Sequence, residues 1–83
     1  MSIKDVVHSA GTNLHTIMIT AREKDGSVET REAEPYSYRV TAGTEKLFCY
    51  DIRKDGVRNL FISNIISVVE TQNAFKPRWP VEV

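Results

Sequence analysis

The sequence predicts a mainly β domain: a small, strongly bent antiparallel barrel of the Sm-like or SH3-like type, with about five strands and a short N-terminal helix. Three observations lead there. From Leu14 to Thr71 apolar residues alternate with a period of two, in short runs roughly ten residues apart. Glycine turns at Gly26, Gly43 and Gly56 separate those runs. Helical spacing occurs only at the start of the chain. Closing such a sheet into a barrel hides the strand edges that would otherwise invite pairing with other chains. An OB-type barrel ranks second, because it needs longer strands and a helix between its third and fourth strands.

Each element has a local reason. Ile3, Val6, Val7 and Ala10 fall at i, i+3, i+4 and i+7, one face of a helix over Ile3–Ala10. Ser2 is its N-cap, Asp5 completes a capping box, and Gly11 supplies the stop. So short a helix does not hold together alone in water, so its stripe must lie on the barrel and close an open end. In the first strand, which begins at Leu14, Ile17, Ile19 and Ala21 point one way and Met18, Thr20 and Arg22 the other. Lys24, Asp25 and Gly26 read as a tight type I′ hairpin, with both central residues at positive φ, leading into a partner strand Ser27–Glu32. Pro35 interrupts, so the sheet bends or changes edge there. Tyr36, Tyr38, Val40 and Ala42 resume the alternation. After a turn at Gly43, Thr44 and Glu45, the run Lys46–Ile52 is apolar or aromatic on both faces, as expected of the central, most buried strand. A second Lys-Asp-Gly turn, Lys54 to Gly56, precedes Val57–Ile62, again apolar on both sides. Ser63 and Asn64 cap one tight turn before a last strand, Ile65–Thr71. Pro77 and Pro80 keep the tail that carries Phe75 and Trp79 irregular. The predicted core is Ile17, Ile19, Val40, Leu47, Cys49, Leu60, Ile62, Ile65 and Val68.

A chain of 83 residues has room for a single domain, 1–83: helix and linker over 1–13, barrel over 14–75, proline-containing tail over 76–83. With 41% hydrophobic and 27% charged residues, composition excludes a disordered chain. No apolar run approaches the roughly 18 residues of a membrane span, and the stretch from Met1 to Asp5 lacks the basic flank of a signal peptide. A cytoplasmic protein with no membrane partner is expected. Eleven Lys and Arg balance eleven Asp and Glu, so nucleic-acid binding needs a local patch. Cys49 is the single cysteine, and with His8 and His15 it makes no metal-ligand spacing. There is no nucleophile elbow, no phosphate-cradling glycine loop and no carboxylate pair with an obvious partner. An enzyme, a metal and a cofactor are all unexpected.

Arginine carries more information. Arg31, Arg39, Arg53 and Arg58 lie on or beside strands, where a planar fork of donors can be aimed at phosphate or carboxylate. Arg58 shares a face with Leu60 and Ile62, so its stem packs beside the core or lines a groove. Two readings stand side by side: a ligand site, or an internal ion pair of Arg31 or Arg58 with Glu32 or Glu34. Tyr36, Tyr38 and Tyr50 can stack on a base or serve the core.

The run Arg31, Glu32, Ala33, Glu34, Pro35 after a glycine hairpin, then Leu47 to Asp51, then Val57 to Ile65 with Val68, Thr71 and Phe75 behind, resembles the WYL domain. The resemblance covers about Leu14 to Phe75. Its most specific pieces are the Arg-x-x-Glu-Pro corner and the hydrophobic run after Arg58. Lys46, Leu47 and Phe48 stand where the name-giving tripeptide would be, Ala21 replaces the aromatic that closes the first strand, and Asn64 replaces a second arginine. The chain thus resembles a divergent, stand-alone member. The resemblance implies an Sm-like barrel acting as a non-enzymatic regulatory or sensor module in bacterial transcription regulation. The implied ligand is an oligonucleotide, nucleotide or similar anion, engaged by Arg31 and Arg58 with Tyr36, Tyr38 and Arg39 nearby. With no helix-turn-helix segment in front, a protein partner carrying the DNA-binding module is expected. The alternative is a protein interaction or assembly module with no small ligand.

Overall fold

In the computed structural model, which describes residues 2–83, a helix, α1 (Ile3–Asn13), precedes five strands: β1 (His15–Arg22), β2 (Val28–Thr41), β3 (Thr44–Asp51), β4 (Gly56–Phe61) and β5 (Ile65–Ala74). All pair antiparallel in one sheet, in the order β4-β3-β2-β1-β5. The two edge strands are joined by a single 3-10 turn, Ile62–Asn64. Laid flat, five strands at about 4.8 Å spacing would hold their outer members roughly 19 Å apart. Three residues of 3-10 helix advance only about 6 Å. The sheet must therefore roll until its edges approach at that corner, and the expected bent architecture follows. It does not close: β4 and β5 are not paired with each other, so the barrel is an open one.

The inner face of the roll holds Ile17, Ile19, Ala21, Ala33, Leu47, Cys49, Ile65 and Val68, and α1 plugs one end with Val7 and Ala10, both fully buried. Ile3 and Val6 flank them, half-buried, as the helical stripe predicts. The Ser2–Asp5 capping box forms. Gly11, however, does not stop the helix. It sits inside the last turn, where a Cβ would overlap Val83 of the tail. The stop is Leu14, held at φ 55° with its carbonyl accepting from the Phe75 amide at 2.9 Å. A tertiary hydrogen bond thus sustains a left-handed conformation that costs a residue with a Cβ.

Pro35 does not divide the second strand. β2 runs unbroken through it because β1 pairs no further than Ala33, which leaves Pro35 on a locally one-sided stretch where a missing N–H is tolerated. The bend appears instead as a bulge: Pro35 pairs with Cys49 and Ser37 with Phe48, leaving Tyr36 as the extra residue. The bulge reverses the alternation, so Tyr38 stands opposite Leu47, whereas Tyr36 joins Tyr50, Phe75 and Trp79 on the outer face.

The turns differ in detail from expectation. At Lys24 to Gly26 only Gly26 has positive φ, 88°, and the Gly26 amide donates to the Glu23 carbonyl. That is a three-residue loop, not type I′. The two-residue turn with both φ positive is Ala42-Gly43. In the second Lys-Asp-Gly sequence Asp55 takes the left-handed position, φ 55°, and Gly56 begins β4.

Three core assignments are corrected. Val40 is 58% exposed, because β2 and β3 run past the roll into their hairpin. Leu60 and Ile62 are half-buried against the core, since β4 is an edge and Ile62 lies in the corner turn. The central strand is β2, with β3 between it and the β4 edge. The tail forms no helix or strand but docks: the Glu82 amide donates to the Tyr36 carbonyl at 2.7 Å and Val83 reaches the core. Among the described residues no helix is long and apolar enough to cross a membrane.

Candidate functional site

Four inward-facing rows of side chains run from the helix-plugged end of the roll to its other end, and each row finishes on a charge. On β1, Ile17, Ile19 and Ala21 lead by the same two-residue step to Glu23 just past the strand. On β3, Leu47 and Cys49 lead to Asp51. On β2 and β4, Ala33 and Leu60 are preceded by Arg31 and Arg58. Because neighbouring strands are antiparallel, all four charges arrive at one mouth. The last apolar residues of three rows, Ala21, Ala33 and Cys49, are small. They leave a narrow cavity of about 10 Å³ whose walls pair these residues and Leu60 with Glu23, Glu29, Arg31, Asp51 and Arg58.

Arg31 and Arg58 therefore do converge. Arg31 Nη1 donates to Asp51 Oδ2 at 3.0 Å, and its Nη2 donates to Glu23 Oε1 at 3.3 Å and to Glu29. Arg58 Nη2 donates to Glu23 Oε1 at 3.1 Å, and Nη1 lies 3.6 Å from Asp51 Oδ2. Two guanidinium groups thus face three carboxylates. Asp51, 1% exposed, also accepts from the Lys54 amide at 3.1 Å. Burial works to raise its carboxyl pKa, yet the Lys54 amide and the Arg31 fork hold it below the usual carboxylate range. The Arg31 fork likewise lowers the pKa of Glu29, and Glu29 in turn raises that of the guanidinium. Arg31 Nε is buried without a hydrogen-bond partner. Lys24 and Lys54 line the open side, with Arg53 beside Lys54.

The internal ion pair anticipated from sequence exists with different acids. Glu32 and Glu34 alternate with Arg31 and Ala33 and so lie on the opposite face of β2. Glu32 accepts from Thr16 and Asn73; Glu34 accepts from Tyr36 Oη at 2.6 Å and Arg78 Nε at 3.2 Å. Nor do the other candidate residues join the two arginines. The ring of Tyr36 packs edge-on against Phe75 and Trp79. Tyr38 Oη donates to Glu45 at 2.6 Å, and burial together with that carboxylate pushes the phenol up to about 12. Arg39 is exposed and binds Ser37 and Glu82. No tyrosine lines the arginine pocket. The residues missed from sequence, Glu23, Glu29 and Asp51, had a readable signal in Glu23 and Asp51: each continues an inward row by one period-two step. Among the described residues no cluster of His, Cys, Asp and Glu could hold a metal ion.

No protein-family model matches the chain, and no curated protein matches it. Among solved structures it is similar to Proteasome accessory factor B/C (PafBC) of Arthrobacter aurescens, with a TM-score of 0.79 and 16% sequence identity over 95% of this chain. The chain spans 13% of the length of that one. At this identity the likeness shows the fold.

Proposed function

We propose that the chain is a non-enzymatic, WYL-like regulatory or sensor module of the cytoplasm, whose Arg31 and Arg58 bind the anionic part of a nucleotide or nucleic-acid ligand. One observation carries the reading: two arginine forks from different strands converge on one small cavity, above an apolar floor of small residues and beside Glu23, Glu29 and Asp51. Planar forks held by neighbours suit bidentate contact with phosphate. The sequence resemblance and the shared fold support the same assignment, and a partner carrying a DNA-binding module would receive the signal. Chemical-shift titration with a nucleoside diphosphate and with a short single-stranded oligonucleotide at low salt tests it. The resonances of Arg31 and Arg58 should move, with affinity of about micromolar or weaker. Arg58→Lys, which keeps the charge and loses the fork, should bind distinctly less well. Absence of binding by every probe, or equal binding by Arg58→Ala, ends the proposal.

A second reading, an assembly module with no small ligand, is favoured by the unpaired edge of β4, whose outer face exposes Val57 by 61% and Phe61 by 46%. Sedimentation at rising concentration tests it. A monomer at every concentration, with no change on substituting Val57 and Phe61 by Ser, speaks against self-assembly through this edge.

A further inference from the structure

The acids around the arginine pair differ in how firmly they are held. Asp51 is fully buried, with one oxygen on the Lys54 amide and the other on Arg31. Glu23 and Glu29 both belong to the β1–β2 hairpin. Glu29 is 47% exposed; Glu23 is 15% exposed, and its backbone closes the loop that ends at Ser27. Both accept from the same nitrogen, Arg31 Nη2, and Glu23 also accepts from Arg58. Sharing one donor brings oxygens of the two carboxylates within roughly 6 Å of each other, the sum of two hydrogen-bond lengths.

From this arrangement we infer that the free protein shuts its own anion site: Glu23 and Glu29 stand in for a compact diphosphate group, which binds by turning both carboxylates out to water while Asp51 stays as the anchor. The inference rests on the reading of Arg31 and Arg58 as an anion site. Charge supports it. With the hairpin acids in place the site sets two guanidinium groups against three carboxylates and repels an anion; with them swung out the same groups face Asp51 alone. Lys24, Arg53 and Lys54 at the mouth then outnumber Asp25 and add to a cationic field. Spacing supports the ligand class. Acid oxygens that meet on one nitrogen mimic phosphates joined through a bridging oxygen better than phosphates separated by a sugar.

The test uses the whole chain and three probes, inorganic pyrophosphate, orthophosphate and a short thymidine oligonucleotide, followed by chemical-shift titration at low salt. Pyrophosphate should bind more tightly than orthophosphate. Glu23→Gln and Glu29→Gln should each tighten pyrophosphate binding by about tenfold, because a neutral amide no longer competes for the forks or repels the ligand. Glu45→Gln, remote from the site on β3, should change nothing and so controls for net charge. Wild-type binding unaltered by Glu23→Gln and Glu29→Gln overturns the shutting role and leaves the anion site standing. An oligonucleotide preferred over pyrophosphate overturns the diphosphate assignment and again leaves the anion site. Failure of every form to bind any probe ends both ideas. Should Glu23→Gln melt far below the parent, the half-exposed Glu29→Gln decides alone.

Discussion

Asp51 and Cys49 are near neighbours on one inward row, and their environments treat charge oppositely. The Asp51 carboxylate persists at 1% exposure because Arg31, Arg58 and the Lys54 amide all address it. Replacing it by Asn keeps the shape but leaves Arg31 short of a buried counter-charge, a change that costs about 3 kcal/mol where buried pairs are broken. Urea unfolding of Asp51→Asn at neutral pH checks this, and parental stability would show that Glu23 and Glu29 suffice for Arg31. Cys49 faces Ala-sized space and no acceptor; burial pushes its thiol up to about 12. Only the thiolate reacts, so Cys49 should be inert to a disulfide reagent at pH 8 in the native protein and react at full rate in urea. Tyr36 and Tyr38 make the same point for aromatics. Two residues apart on one strand, they go to opposite faces because Tyr36 is the extra residue of the bulge, which costs the alternation one step.

At the level of elements, position in the roll decides what an apolar residue is worth. Leu47 is fully buried on β3, so Leu47→Ala should lose about 2 to 5 kcal/mol. Val40, on the neighbouring strand beyond the roll, should lose no more than about 0.5 kcal/mol on the same change. Equal losses in thermal or urea unfolding would refute this strand register. The helix is an element of the core and not an appendage, since Val7 and Ala10 are fully buried against β1, β2 and β5. Ser9 and Asn13 pin it further by donating to Glu70 on β5 at 2.6 and 3.0 Å. A chain starting at Leu14 would expose that apolar end and should show a markedly lower melting temperature. An unchanged melting temperature with a dispersed spectrum would mean that the roll stands without its plug.

For the whole molecule, acid is the revealing perturbation. Arg31 holds Glu29 below the ordinary carboxylate range, Thr16 and Asn73 do so for Glu32, and Ser9 with Asn13 for Glu70; Asp51 joins them despite its burial. A carboxyl with a folded pKa below its unfolded value stabilises fully above the unfolded value, near 4, and loses that contribution as pH falls through the folded one. Stability should therefore hold from pH 7 to about 5 and decline steeply below about 4. Protonation of Glu29 in the same range should weaken its hold on Arg31. A urea midpoint unchanged between pH 6 and pH 3 would show that these contacts add nothing to the fold.

Local chemistry alone determined the alternating runs, the helical stripe, the capping box and the face that Arg58 shares with Leu60, because each depends on residues a few places apart. The same period-two rule, carried one step further on each strand, also contained Glu23 and Asp51. What lay beyond sequence depended on contacts between distant segments. Gly11 stays helical because the tail packs where its Cβ would be, and Leu14 ends the helix because Phe75 holds its carbonyl. Pro35 remains in a strand because β1 has already ended beside it. Val40 is exposed because the roll is shorter than β2. Which acids meet the two arginines follows from antiparallel neighbours that bring four row ends to one mouth, and from the side of β2 that Glu32 and Glu34 occupy. Periodicity assigns a side chain to a face, but only the roll of the sheet decides how far along that face water is excluded and whose charge waits at its end.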